Sequence, residues 1–162
     1  MPLSGLMKIH HFLSLCVLGS VVASSVAAEN TKTPYWASIR SDEVNLRVGP
    51  GEDYRINWVY HRQHLPLKII RLKDGWRLVQ DSAGNQGWML SRFLTRQRGA
   101  VVIGGGLADM RGKGDPAARL LWRVRPGVVG LLGDCSGGWC DFSTAGRRGY
   151  VPQTRLWGAG EP

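Results

Sequence analysis

Short apolar runs separated by turn residues alternate along the chain from about residue 35 onwards. In the first half these runs are "YWASI", "EVNLR", "NWVYH", "LPLKIIRL", "WRLVQ" and "GWML", and helical periodicity is scarce. The breaks between them are rich in glycine, proline and small polar residues, as in "VGPGEDY", "KDG" and "SAGNQ". Short strands joined by tight turns at roughly 8–12-residue spacing are typical of small all-β units. The pattern therefore predicts a six-stranded all-β unit over residues 36–95.

The second half of the chain repeats this order of apolar runs and turns. "VNLRVGPGEDYRINW", residues 44–58, has the counterpart "ADMRGKGDPAARLLW", residues 108–122. The matched pairs are Arg47 with Arg111, Arg55 with Arg119, Trp58 with Trp122, Gly75-Trp76 with Gly138-Trp139, and Gly87-Trp88 with Gly149-Tyr150. Their offset falls from 64 to 63 to 62 residues, and it changes only in turns. Such order-preserving self-similarity indicates a tandem repeat, with a second unit over 99–158 and a linker at 96–98.

Each unit has about sixty residues, and its short strands must cover their own edges. Small apolar sheets do this by closing on themselves. We therefore predict an all-β protein made of two tandem small barrels.

The first 28 residues are predicted to be a cleavable signal peptide. Lys8 lies in a segment without acidic residues, the apolar run "FLSLCVLGSVVASSVAA" follows, and Val26 and Ala28 occupy the −3 and −1 positions of a cleavage site. A retained anchor is disfavoured because the run falls short of the roughly 20 strongly apolar residues that a spanning helix needs. A lipoprotein acylated at Cys16 is disfavoured by the bulky Leu15 before it. We expect a periplasmic or secreted protein without a membrane span after cleavage.

The formal net charge is +9, or +8 once Lys8 is removed with the signal peptide. A basic protein often binds nucleic acid, but export argues against that partner. The envelope offers other anions, such as peptidoglycan carboxylates and phosphorylated surface glycans, which attract a basic surface. Positive charge can also serve solubility, and charge alone does not choose between these interpretations.

The mature chain keeps two cysteines, Cys135 and Cys140, in "CSGGWC". An even number of close cysteines in an exported protein favours a disulfide. The repeat offset aligns them with Leu72 and Arg77, which face each other across a hairpin tip at a separation that suits a disulfide. A structural zinc site needs four cysteine or histidine ligands at defined spacing, which the chain does not offer. We therefore expect neither a metal nor another cofactor.

These motifs resemble the bacterial SH3-like domain family. "VNLRVGPGEDYRINWV", "DGWRLV" and "GWMLSRFL" match its "N-x-R-x-G-P" loop, its "GW" near the third hairpin, and its closing strand that ends in a single helical turn. The second unit is a diverged copy, with Asp109 for Asn45, "GKG" for "VGP" and Tyr150 for Trp88. The resemblance implies a five- or six-stranded partly open barrel in each unit. It also implies a binding or targeting module of the kind that recognises cell walls and is commonly attached to peptidoglycan hydrolases.

Aromatic side chains are the candidate ligand contacts, because amphipathic rings suit both extended peptides and sugars. The candidates are Tyr54, Trp58, Tyr60, Trp76, Trp122 and Trp139. Core packing is the alternative for each ring. For Trp88 and Tyr150 core packing is the favoured interpretation, since a small barrel needs large side chains to fill it.

Four polar residues that recur in both units are predicted to shape the long loop. Guanidinium groups of Arg47 and Arg111 would bind backbone carbonyls of the loop. The short side chains of Asn45 and Asp109 would bind nearby backbone N–H groups.

No constellation of catalytic residues emerges from the sequence. The two cysteines are expected to be paired with each other, His61 and His64 belong to the other repeat, and the hydrolase motif "GxSxG" does not occur. We expect a non-catalytic, monomeric protein of the cell envelope that binds peptidoglycan or peptide ligands. The alternative is a scaffold or regulator of an envelope enzyme that binds a protein partner by β-strand addition.

Overall fold

The computed structural model describes Met1 and residues 32–162, so the predicted signal peptide lies outside the described residues apart from Met1. The strands of the first repeat are β1 (Tyr35–Ile39), β2 (Val44–Arg47), β3 (Ile56–Tyr60), β4 (Pro66–Lys73), β5 (Trp76–Gln80), β6 (Gln86–Leu90) and β7 (Leu94–Thr95). Those of the second are β8 (Gly99–Val102), β9 (Ala108–Arg111), β10 (Leu120–Val124), β11 (Val129–Ser136), β12 (Trp139–Thr144), β13 (Arg147–Pro152) and β14 (Leu156–Trp157). Single 3-10 turns, Ser91–Phe93 and Gln153–Arg155, precede the last strand of each repeat.

The two repeats form two separate antiparallel sheets with the same topology. The first sheet has the order β3-β2-β6-β5-β4-β1-β7, and the second has the order β10-β9-β13-β12-β11-β8-β14. Adding seven to every strand number of the first order gives the second order. The duplication seen in the sequence is therefore a duplication of the fold. The prediction of an all-β protein with two tandem small barrels is confirmed.

Predicted and observed strands agree closely, with three differences. "YWASI", "WRLVQ" and "LLWRV" are strands at the predicted residues. The two-residue strands β7 and β14 were not predicted, because so short a segment has no periodicity and is extended only through its pairing with β1 or β8. The sequence also predicts a five-residue turn, "TAGRR", at residues 144–148 of the second unit, and this turn is shorter than expected. Ala145 and Gly146 alone have positive φ there, and Arg147 already belongs to β13.

Each barrel encloses one apolar core built from alternate strand residues. The first core contains Ala37, Ile39, Val44, Leu46, Tyr60, Leu67, Ile69, Val79 and Met89. The second contains Ala100, Val102, Ala108, Met110, Val124, Cys140, Phe142, Val151 and Leu156. Within residues 32–162, no helix has the length and apolar character needed to cross a bilayer.

Two aromatic residues that were expected in the cores point away from them. Gly87 and Gly149 occupy the inward positions of β6 and β13, where a Cβ would lie 2.6 Å from the Cγ of Leu46 or Met110. Because strand side chains alternate between faces, the neighbouring Trp88 and Tyr150 face outward. Trp88 is half-buried and Tyr150 is exposed. The expectation that rings fill the barrel at these positions was wrong.

Tyr60 lies in the first core and not on a ligand-accessible surface, contrary to the prediction. Only 8% of Tyr60 is exposed, and its hydroxyl donates a hydrogen bond to Oδ2 of Asp81 at 2.9 Å. The physical reason is its place at the end of β3, opposite the buried Val44. Burial, followed by the hydrogen bond and charge of Asp81, raises the pKa of Tyr60.

The barrels share a packed junction, and Thr31–Pro162 form one compact unit. The rings of Trp36 and Trp157 meet edge to face with centroids 4.7 Å apart. The indole N–H of Trp36 also donates to the carbonyl oxygen of Gly160 at 3.0 Å. Gly99 lies so close to the first barrel that a Cβ there would collide with the carbonyl oxygen of His64.

Candidate functional site

The second barrel carries an open groove of about 530 Å³ on the outward face of β12 and β13. We call it the β12–β13 groove. Its walls come from the loop after β9 and from the tip of the β11–β12 hairpin. The side chains that define its chemistry are Lys113, Asp134, Trp139, Asp141, Arg148 and Tyr150.

Strand alternation places these side chains together. Trp139 and Asp141 are two residues apart in β12 and therefore share a face. In β13 the same holds for Arg148 and Tyr150, and Tyr150 lies directly opposite Asp141 in the sheet. Since Cys140, Phe142 and Val151 turn inward to the core, the alternate residues form the floor of the groove.

An ion pair fixes the centre of this floor. The guanidinium group of Arg148 donates two parallel hydrogen bonds to the carboxylate of Asp141, one of them from Nε to Oδ1 at 2.9 Å. The hydrogen bond to Asp141 raises the pKa of Arg148. Asp141 is therefore neutralised, and the charges left to meet a ligand are Lys113 and Asp134 on the walls. Neither is in an ion pair within residues 32–162.

A disulfide braces the hairpin tip beside the groove, as predicted. Cys135 and Cys140 are bonded to each other and lie directly opposite in the sheet, with their Cα atoms 4.0 Å apart. Gly137 and Gly138 between them both have positive φ, a conformation that glycine adopts without steric cost. The bond ties the wall residue Asp134 to the β12 strand that carries Trp139.

The corresponding region of the first barrel is a smaller pocket of about 160 Å³. Trp76, which matches Trp139, lies there beside Asn45, Arg47 and Arg92. Arg92 reaches Glu52 of the long loop at 3.8 Å, so a side-chain contact crosses the space that is open in the second barrel. The two repeats thus have a cavity at corresponding positions, and the cavity is larger in the second barrel.

Three of the six aromatic residues predicted to contact a ligand lie outside both the β12–β13 groove and the corresponding pocket of the first barrel. Trp58 of β3 is 62% exposed, and Trp122, at the same position of β10, is 41% exposed. The ring of Trp122 is covered by the guanidinium carbon of Arg147 at 4.3 Å. Tyr54 is exposed on the long loop and packs beside Gly49 and Gly51.

Of the six side chains that define the chemistry of the groove, sequence reasoning identified only Trp139 and missed the other five. The missed residues are Lys113, Asp134, Asp141, Arg148 and Tyr150. The alternation of faces in β13 could have predicted the direction of Tyr150. If Gly149 faces inward, the next residue, Tyr150, faces outward. Lys113 lies in a loop, where no periodic pattern indicates the direction of a side chain. Asp134 lies in β11 at a shift of the pairing register with β12, which interrupts the alternation of faces.

The loop residues make contacts that repeat between the barrels. Nη1 of Arg47 donates to the carbonyl oxygen of Tyr54 at 2.7 Å, and Nη1 of Arg111 donates to that of Ala118 at 2.8 Å. Each bond spans seven residues of the long loop. Their importance for the shape of the loop stays a prediction.

Asp109 differs from its predicted contacts. It accepts from Nη2 of Arg111 at 2.7 Å and from Nε of Arg123 at 3.4 Å, instead of from backbone N–H groups. The physical reason is that two guanidinium groups flank a carboxylate on adjacent strands. Asn45, which holds the same place in the first barrel, lines the pocket with Arg47.

Known proteins resemble this chain over parts of their length. "Putative N-acetylmuramoyl-L-alanine amidase YrvJ" of Bacillus subtilis (strain 168) is 27% identical over 157 residues, which cover 89% of this chain and 30% of that protein. The structure of NlpC2 from Trichomonas vaginalis matches 78% of this chain and 49% of its own, at 15% identity and a TM-score of 0.35. An NlpC/P60 family protein from Bacillus cereus ATCC 10987 matches 76% of this chain and 56% of its own, at 12% identity and a TM-score of 0.34. Scores of this size support no detailed structural correspondence.

The model of the bacterial SH3 domain matches two separate regions, residues 40–95 and 105–158. The first region lies within the residues of the first sheet, and the second runs from three residues before β9 to one residue after β14. Both matches agree with the duplication of motifs and of topology. The chain belongs to the bacterial SH3 domain family and carries two tandem copies of that domain.

Proposed function

We propose that this protein is a non-catalytic binding protein of the cell envelope whose β12–β13 groove binds a peptide or glycan part of peptidoglycan. Membership of the bacterial SH3 domain family supports a binding role in the envelope. The relative YrvJ is named for N-acetylmuramoyl-L-alanine, a unit that joins a sugar to a peptide. This chain spans only 30% of that relative, so the amidase activity is not transferred to it.

The observation that carries the proposal is the composition of the groove. Two rings, Trp139 and Tyr150, offer apolar surface on which a sugar or an extended peptide packs. Lys113 and Asp134 place opposite charges on the walls. A short peptide with a free amine and a free carboxylate would meet a partner for each group, while the Asp141–Arg148 pair presents a neutral, ordered floor.

Binding to purified peptidoglycan sacculi tests this proposal. We expect Trp139→Ala and Tyr150→Ala each to weaken retention by about tenfold, because buried aromatic contacts dominate binding energies. Trp58→Ala is the matched control, since it removes an exposed ring from the other barrel. We expect it to change retention by less than about twofold, in line with exposed contacts that bury little surface.

Three results would contradict the proposal. The folded wild-type protein could show no retention on sacculi at low salt, or Trp58→Ala could weaken retention as much as the groove variants. Turnover of muropeptides by the purified protein would contradict the non-catalytic assignment. Circular dichroism of each variant separates loss of binding from loss of fold.

A partner-binding role is the second candidate, because the edge strand of the first barrel exposes apolar side chains. Ile56 and Trp58 of β3 and the neighbouring Val48 are all exposed. Among the strands of residues 32–162, none pairs with the outer side of β3. An extended segment of an envelope enzyme could pair with such an edge. Under this function, Trp58→Ala abolishes capture of the enzyme and short stem peptides do not compete with it.

A further inference from the structure

We propose that the junction between the two barrels is a second binding site, which takes the phosphodiester or carboxylate groups of an acidic envelope glycan. Two adjoining cavities, of about 400 and 640 Å³, open along the junction. Each is lined from both barrels, and Val129 borders both. We call them together the junction cleft. A single repeat contains only one of its walls.

Basic side chains from both barrels converge on this cleft. The segment after β3 brings Arg62 and His64, the turn between β10 and β11 brings Arg125, and the start of β13 brings Arg147. Within the part of the chain that the structure describes, residues 32–162, no aspartate or glutamate lines either cavity. The cleft therefore differs in charge from the β12–β13 groove, which contains two carboxylates.

Three of these guanidinium groups keep their positive charge uncompensated. Arg62, Arg125 and Arg147 form no ion pair within residues 32–162. Arg62 uses one of its five N–H donors on the carbonyl oxygen of Gly127, at 2.8 Å. Arg147 stacks on Trp122, an arrangement that orients the guanidinium plane and leaves its N–H edge free. Arg148 also borders the cleft but is neutralised by Asp141.

The class of ligand follows from these groups. Guanidinium forks bind phosphate and carboxylate oxygens in bidentate fashion, and three of them distributed over two cavities suit repeated anionic groups on one extended chain. Single-stranded nucleic acids are bound on aromatic platforms that stack their bases. Among the described residues, no tryptophan, tyrosine or phenylalanine lines the cleft, so an acidic glycan fits it better than a nucleic acid.

Contacts across the junction hold the two walls in place before any ligand arrives. The Arg62–Gly127 hydrogen bond closes one side of the cleft. Trp36 and Trp157 pack against each other, and the hydroxyl of the fully buried Ser38 donates to the carbonyl oxygen of Gln97 at 2.6 Å. A site formed in advance avoids the ordering cost that weakens binding to mobile groups.

Fluorescence anisotropy with labelled poly(glycerol phosphate) tests the site on the full chain. We expect Arg125→Gln and Arg147→Gln each to weaken binding at least threefold and the double variant at least tenfold. Each loss should lower the slope of log Kd against log salt by about 0.7, as for one contact to a flexible polyanion. Arg55→Gln and Arg119→Gln remove the same charge at exposed positions that line neither cavity, and we expect changes below twofold.

Three further polymers complete the experiment: polygalacturonate, neutral dextran and oligo(dT). Tighter binding of poly(glycerol phosphate) than of polygalacturonate identifies the preferred group as phosphodiester, and the reverse order identifies carboxylate.

The proposal is overturned if the control variants weaken binding as much as the cleft variants, if dextran binds equally well, or if oligo(dT) binds most tightly. Because poly(glycerol phosphate) contains neither a sugar nor a peptide, the effect of the arginine variants on its binding is independent of the β12–β13 groove. Thermal melting of each variant checks that the fold is intact.

Discussion

At one pair of neighbouring core positions, the two barrels place the larger side chain on different strands. The first barrel uses Leu67 on β4 and Val79 on β5, whereas the second has Gly130 and Phe142 at the positions 63 residues on. A Cβ on Gly130 would lie 2.8 Å from Cζ of the Phe142 ring. The glycine thus makes room for the phenylalanine. Cores tolerate such exchanges when total volume is kept, so the repeat preserves the inward pattern and not the residue.

The outward positions of the same strands have diverged in chemistry. Asp141 and Arg148, which form the ion pair in the second barrel, correspond to Leu78 and Gln86 in the first. The disulfide has no counterpart in the first barrel, where Leu72 and Arg77 face each other. Packing inside the barrel requires apolar side chains at the inward positions of both copies. The outward positions do not face this requirement, and in the second copy they carry the charged residues of an open groove.

The largest expected difference concerns the exchanged core residues. Phe142→Ala should lower the free energy of unfolding by about 3–5 kcal/mol, the usual cost of truncating a buried phenylalanine. Val79→Ala at the matching position removes fewer atoms and should cost about 2 kcal/mol. Guanidinium denaturation of the full chain measures both. Equal losses would show that the two cores do not differ as the exchange implies.

Removal of the disulfide should have the next largest effect. Closing a loop between residues five apart stabilises by about 2 kcal/mol in the chain-entropy model. Reduction with dithiothreitol should therefore lower the stability of the wild-type protein by that amount and weaken ligand binding in the groove. The Cys135→Ser/Cys140→Ala variant is the control, since its stability should not respond to the reductant. The comparison is sharpened by Leu72→Cys/Arg77→Cys, which we expect to form the same bridge in the first barrel.

The loop arginines provide a smaller contrast between the barrels. Arg111 bonds both the carbonyl oxygen of Ala118 and the half-buried Asp109, whereas Arg47 bonds only a carbonyl oxygen of its loop. Arg111→Met should cost about 2 kcal/mol and Arg47→Met about 1 kcal/mol, because hydrogen bonds of charged groups exceed neutral ones. Thermal denaturation of each variant measures the difference. If both variants are as stable as wild type, the predicted role in shaping the loop is wrong.

The fold could be predicted because its signals are local. Two-residue alternation, turns rich in glycine and the repeated loop motif all lie within short stretches of sequence, and they located twelve of the fourteen strands described within residues 32–162. The two missed strands, β7 and β14, are extended only because the barrels close on β1 and β8. Such long-range pairing leaves no pattern in a two-residue segment.

The sites were less predictable, because they depend on which face a side chain takes and on contacts between repeats. Trp139 was identified from its recurrence. Tyr150 was assigned to the core from its size, although the glycine before it already held the inward position. The junction cleft joins Arg62 to Arg125 and Arg147 across two folded barrels, and no spacing in the sequence indicates that proximity.

Tyr60 offers the finest test of the difference between the two cores. Its position in the second barrel is held by Val124, which has no ionisable group. Burial and Asp81 raise the pKa of Tyr60 above the ordinary value of 10.0. Above about pH 10 the unfolded chain therefore loses this proton while the folded protein keeps it, so the free energy of unfolding decreases as the pH rises.

We expect Tyr60→Phe to cost about 1 kcal/mol at neutral pH through the lost hydrogen bond to Asp81. The free energy of unfolding of the Tyr60→Phe variant should then fall less steeply than that of wild type between pH 9 and pH 11, because phenylalanine lacks the hydroxyl that titrates. Urea denaturation across that range measures the slope, with Tyr150→Phe as the control at an exposed tyrosine. Parallel slopes for wild type and Tyr60→Phe would mean that the tyrosine of the first core does not set its alkaline sensitivity. A slope that flattens only in Tyr60→Phe would assign this sensitivity to the one core position where the repeats exchange a tyrosine for a valine.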